Sequence, residues 1–108
     1  MVIDQRNNIK MTRGDSESIT VTCEERPFAE GDKITMTVKE TEYKKEFLFQ
    51  KEVTEFEDGK AVIEITPEDT KELSFMTYVY DIQLTGADGT VTTIIKPAIF
   101  ELSKEVTY

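Results

Sequence analysis

Few side chains in this sequence are equipped for chemistry. Cys23 is the single cysteine, and the chain has no histidine. A cysteine nucleophile works as its thiolate, and an imidazole is the usual base that makes it one. In Ile19-Thr20-Val21-Thr22-Cys23 the thiol stands at the inward parity of an alternating strand. A free cysteine there behaves as a small hydrophobe, and a lone cysteine forms no disulfide within the chain. Arg13-Gly14-Asp15 is an integrin ligand when it stands on an exposed loop tip; here Gly14 is read as serving turn geometry. Gly31-Asp32, Asp58-Gly59 and Asp88-Gly89 are acidic turns, but none has the ligand spacing of a calcium loop. No glycine-rich phosphate loop occurs, and no spacing brings two carboxylates together for acid–base work. The sequence therefore predicts no catalytic, cofactor-binding or metal-ligating residue and points away from an enzyme.

The totals narrow the class. A chain of 108 residues fits one domain, residues 1–108. Its hydrophobic share of 38% supplies a modest core, and its charged share of 32% is compatible with a globular surface. Twenty-two acidic against thirteen basic residues leave a net charge of −9. Such a surface repels nucleic acid and anionic membranes. Met1-Val2-Ile3 runs directly into Asp4, and no apolar run approaches a membrane span. A cytoplasmic site of folding is the expectation.

The elements that would position these residues are strands. Tyr78, Tyr80, Ile82 and Leu84 alternate with Val79, Asp81 and Gln83, the period of a strand with one buried face. Gly86-Ala87-Asp88-Gly89 supplies a turn, and Val91 to Ile95 is β-branched throughout. If Gly86 to Gly89 all form the loop, Leu84 faces Val91, Ile82 faces Thr93 and Tyr80 faces Ile95; a two-residue Asp88-Gly89 turn would keep the same parity. Lys96-Pro97 would close this hairpin, and Ala98 to Val106 would form a further extended segment with Phe100 and Leu102 on one face. Earlier strands are expected at Ile9 to Met11, Glu17 to Cys23, Ile34 to Val38, Phe47 to Val53 and Ala61 to Ile65. In the fourth of these Phe47, Phe49 and Val53 share the inner face and Leu48 takes the other. Residues 1–8 are read as a loose N-terminal arm or an edge strand, and Phe28 as tucked under the sheet. The mixed-charge run 40–46 is a solvated hairpin end, and Glu57-Asp58-Gly59-Lys60 is a hairpin turn.

Thr66-Pro67-Glu68-Asp69 has the chemistry of a helix start. Thr66 caps by accepting the Asp69 amide, proline suits the first helical position, and the acids favour the positive end of the helix dipole. The helix must be short, with Leu73 and Phe75 anchoring the crossing. About seven short strands, one short helical turn and frequent turn signals predict an all-β, immunoglobulin-like β-sandwich, with a small barrel as the alternative. Tyr78 after the crossing suits a tyrosine corner; an ordinary half-buried tyrosine is the competing reading.

Met11-Thr12-Arg13-Gly14-Asp15-Ser16, Ile65-Thr66-Pro67-Glu68-Asp69-Thr70, and Tyr78-Val79-Tyr80-Asp81-Ile82-Gln83-Leu84 followed by Asp88-Gly89-Thr90-Val91 resemble small phage and prophage structural proteins of Gram-positive bacteria. They are similar to the N-terminal domain of the phage baseplate upper protein. The resemblance spans roughly residues 9–107. It implies an immunoglobulin-like sandwich that serves as a structural piece of a virion, in its tail or baseplate, with other virion proteins as partners. It carries no catalytic residues. A weak homo-oligomer and a move from cytoplasm to virion on assembly follow from the same resemblance. A carbohydrate-binding module is the alternative, although the chain lacks tryptophan and exposes few aromatics, Tyr43 and Tyr108 being the exceptions.

Overall fold

The structure is a computed structural model that describes residues 1–74 and 76–105. It is all-β apart from one helical turn. The strands are β1 (Val2–Ile3), β2 (Ile9–Thr12), β3 (Glu17–Val21), β4 (Lys33–Lys39), β5 (Phe49–Val53), β6 (Ala61–Ile65), β7 (Thr77–Thr85) and β8 (Val91–Ser103). The turn α1 (Pro67–Thr70) lies between β6 and β7. Six strands form one sheet in the order β1-β2-β8-β7-β4-β5, and β3 and β6 form a second. The two sheets do not join into a barrel. Their inner faces share one core, in which Ile34, Met36, Val38, Ile63, Ile82 and Phe100 are completely buried. Burial alternates along β3, β4, β6 and β7 as the sequence period requires.

The expected count of about seven strands becomes eight. Val2–Ile3 takes the edge-strand reading and not the loose arm. It pairs antiparallel with β2, Val2 opposite Lys10 and Ile3 opposite Ile9. The Asp4 carboxylate holds the reversal by accepting the amides of Arg6 at 2.8 Å and Asn8 at 2.9 Å, and these bonds keep its pKa below the usual value. β2 then runs parallel to the end of β8, Ile9 opposite Phe100 and Leu102 opposite Met11.

The central hairpin forms, with a corrected register. Gly86 donates its amide to the Thr90 carbonyl at 2.8 Å, and Gly89 donates to the Gly86 carbonyl at 2.9 Å. Gly89 has φ +88°, so the loop is a turn followed by one left-handed residue. That loop has an odd number of residues, which shifts the pairing by one: Leu84 faces Thr92 and Thr85 faces Val91. Two register shifts follow, each with one extra residue on β8. They make Ile82 face Ile95 and Tyr80 face Ala98. Lys96-Pro97 therefore closes nothing. The pair lies in the second bulge, where proline's missing donor is tolerated, and β8 continues as one strand through Ser103.

Glu57-Asp58-Gly59-Lys60 is a tight turn, with Asp58 at φ 54° and Gly59 at φ 71°. It turns the chain from β5 in one sheet to β6 in the other, so it does not join paired strands. A Cβ on Gly59 would stand 2.4 Å from that of Pro27, beside the point where the Phe28 amide donates to the Gly59 carbonyl at 3.0 Å. Phe28 is buried as expected and meets Phe56 with ring centroids 5.5 Å apart. Phe47 is a correction: β5 starts at Phe49, and Phe47 is half exposed.

Thr66 and Asp69 cap the helical turn. The Asp69 carboxylate accepts the Thr66 amide at 2.7 Å and its hydroxyl at 3.1 Å, while the Asp69 amide returns to the Thr66 carbonyl at 3.1 Å. Lys51 of β5 reaches the same carboxylate at 2.7 Å. Burial works to raise the Asp69 pKa, but these bonds outweigh it and hold the carboxyl low. Leu73 packs against the core; Phe75 and Val106 lie outside the described residues. The Tyr78 hydroxyl donates to the Ser74 carbonyl at 2.7 Å, the bond back to the crossing expected of a tyrosine corner.

Candidate docking surfaces

The residues singled out for chemistry are dispersed by the fold. Arg13 turns inward: its guanidinium grips both oxygens of Glu105, at 3.2 and 2.7 Å, and donates to the Leu73 carbonyl at 3.0 Å. The Gly14 amide donates to the hydroxyl of fully buried Thr70 at 2.8 Å. The Arg-Gly-Asp turn is thus a junction between the β2–β3 connection, the crossing and the segment after β8. Glu105 sits below its ordinary pKa because Arg13 bonds it. A guanidinium held in a fork of this kind is not offered to a receptor.

The acidic turns also have internal work. Asp32 is buried and takes a two-pronged bond from Arg26, at 2.7 and 3.2 Å, plus the Ala29 amide at 2.9 Å. The guanidinium, then the amide, hold its carboxyl below the usual range. The Asp88 carboxylate accepts the Thr90 amide at 2.9 Å within its own loop. Among the described residues no three of Cys, Asp and Glu stand where they would hold a metal ion. No helix among them is long and apolar enough to cross a membrane.

What the fold does present is unpaired backbone. β3 pairs along one side only, with β6. β8 pairs with β7 from Val91 to Glu101 but with β2 only from Phe100 to Ser103. The side chain of Asn8 extends that edge by one bond, accepting the Ile99 amide at 3.0 Å. Beyond it, from Val91 to Ala98, no strand among the described residues lies on the outer side of β8. An open groove of about 510 Å³ runs between these two free edges, lined by Thr20 to Glu25 on one side and Thr92 to Ile95 on the other. A second hollow of about 340 Å³ shares Cys23, Glu25, Thr92 and Ile94 with it and reaches Asp88. Asn7 closes one end, its carbonyl accepting the hydroxyl of buried Tyr80. Cys23, Ile94 and Ile95 are half-buried and pack against the core from the groove.

No family model, curated protein or solved structure matches the chain.

The N-terminal residues are an edge strand bonded to β2, and β2 in turn covers β8 from Phe100 to Ser103. Leu48 is exposed beside Phe47 and Tyr43 at the β4–β5 hairpin end. Residues 106–108, Tyr108 included, lie outside the described residues. The groove itself has no signal in the sequence, because it arises from the two bulges and the short reach of β2. The Arg26–Asp32 and Arg13–Glu105 forks were equally silent. Only their opposite charges were visible, and Arg13 and Glu105 stand 92 positions apart.

Proposed function

We propose that this protein is a non-enzymatic structural component of a phage or prophage particle, associated with its tail or baseplate, and that it assembles through free strand edges. The groove between β3 and β8 carries the docking role. It combines unpaired backbone on both walls with half-buried apolar side chains on its floor, the pairing that strand addition uses. The motifs at Ile65 to Thr70 and Tyr78 to Val91 carry the particle. They form the capped helical turn and the central hairpin.

An immunoglobulin-like sandwich is the finer reading of the fold. In such domains the last, penultimate and third strands are neighbours, as β8, β7 and β4 are here, and the opposite sheet pairs the strands equivalent to β3 and β6. The Tyr78–Ser74 bond supports the same reading. With a net charge of −9, nucleic acid is not a partner. Other virion proteins are, together with weak self-association in the repeated positions of a particle. The chain folds in the cytoplasm and leaves it in the virion. A carbohydrate-binding module is the second reading, favoured by the exposed rings of Tyr43 and Phe47.

Induction of the host strain, purification of intact particles and mass spectrometry test the proposal. The chain is expected in the particles at a fixed ratio to the major tail proteins. Abundance in the lysate with absence from particles would overturn the structural role and leave a cytoplasmic assembly helper.

A further inference from the structure

We infer that the groove between β3 and β8 seats an extended segment of a different chain, with apolar side chains at alternate positions and a lysine or arginine beside them. The inference rests on the docking role proposed above and names its partner. It starts from the two free edges. β8 is guarded along its open stretch by two bulges and by Pro97, devices that discourage a further strand. β3 has neither a bulge nor a proline, and its outer edge is regular. The guest strand therefore hydrogen-bonds to β3 and its continuation toward Cys23. Alternate side chains of the guest then point at Cys23, Ile94 and Ile95, which the domain leaves half-buried.

Charge chooses the guest. Glu24 and Glu25 are exposed on the rim and have no ion-pair partner among the described residues. The next residue, Arg26, lines the second hollow but is committed to Asp32. Asp88 adds a further carboxylate at the far end. A rim of this sign selects a basic segment and opposes an acidic one. A second copy of this chain brings nine net negative charges of its own, so the guest belongs to another protein.

Two blocked seven-residue peptides test this on the full chain: Lys-Val-Thr-Val-Thr-Val-Lys and its counterpart with glutamate at both ends. Cys23, the single thiol, reports from the groove floor through its rate of alkylation by iodoacetamide, and amide resonances of Thr20 to Glu25 give a second readout. The basic peptide is expected to slow alkylation several-fold and to shift those resonances, with little effect from the acidic one. The exposed double variant Glu24→Lys, Glu25→Lys is expected to reverse the preference. Equal effects of both peptides, no effect of either, or protection that grows with protein concentration alone would overturn the inference. Failure here with the chain present in particles removes the groove and keeps the virion role. Protection here with the chain absent from particles does the opposite.

Discussion

Phe100→Ala is expected to destabilise the protein by about 3–5 kcal/mol. Phe100 is wholly buried in β8, opposite Ile9 on one side and Tyr78 on the other. Its ring meets Phe49 at 5.9 Å and Tyr80 at 6.4 Å between centroids, both close to edge-on. These arrangements add to plain burial. Truncation leaves a cavity where three neighbouring strands converge, and the backbone there is fixed by pairing on both sides, so collapse is limited. Small domains have about 5–15 kcal/mol in total, so the variant should sit near the margin. Urea denaturation checks this: the midpoint should fall steeply while the slope stays the same. A loss under about 1 kcal/mol would mean that β8 does not enter the core at this residue.

Alkali is expected to remove the second-largest increment. Burial pushes the Tyr80 phenol from 10.0 up to about 12, with nearby Asp4 adding to the effect. The folded value lies above the unfolded one, so the neutral phenol stabilises the fold fully below pH 10. That contribution is lost as pH rises from 10 to about 12. The interval corresponds to about 2–3 kcal/mol. Ionisation also removes the proton that Tyr80 donates to the Asn7 carbonyl, which fastens the N-terminal reversal over the end of the groove. Denaturation midpoints between pH 9 and 12 check this. The fall across that range should be shallower in Tyr80→Phe than in the natural chain. Coincident curves would show that the Tyr80 phenol is not buried.

Much of the scaffold was legible. Alternation at Ile34 to Val38, Ala61 to Ile65 and Tyr78 to Leu84 identified strands and inner faces, because a face period of two leaves one register with the apolar set inside. Thr66 to Asp69 identified the helical turn, since capping chemistry is local. Three features failed for physical reasons. The loop after Thr85 has an odd residue count, which composition does not encode, and the pairing moved by one. Pro97 looked like a terminator because proline removes a donor; a bulge absorbed it and β8 ran on. Phe47 matched the inner parity, but the ladder begins only at Phe49, and parity has no force outside a ladder. The candidate groove was invisible for a related reason. It depends on how far β2 reaches along β8, which is set by the Asp4 to Asn8 reversal and by Asn8 bonding the Ile99 amide.

The central claim is that the groove beside β3 is covered in an assembled particle, and Cys23 reports on it directly. Alkylation is followed by mass spectrometry in purified particles and, in parallel, in the isolated protein. The account predicts that Cys23 reacts in the isolated protein and is protected in intact particles, with reactivity restored when the particles are dissociated. Equal reaction rates in both states, with the chain present in the particles, would contradict it.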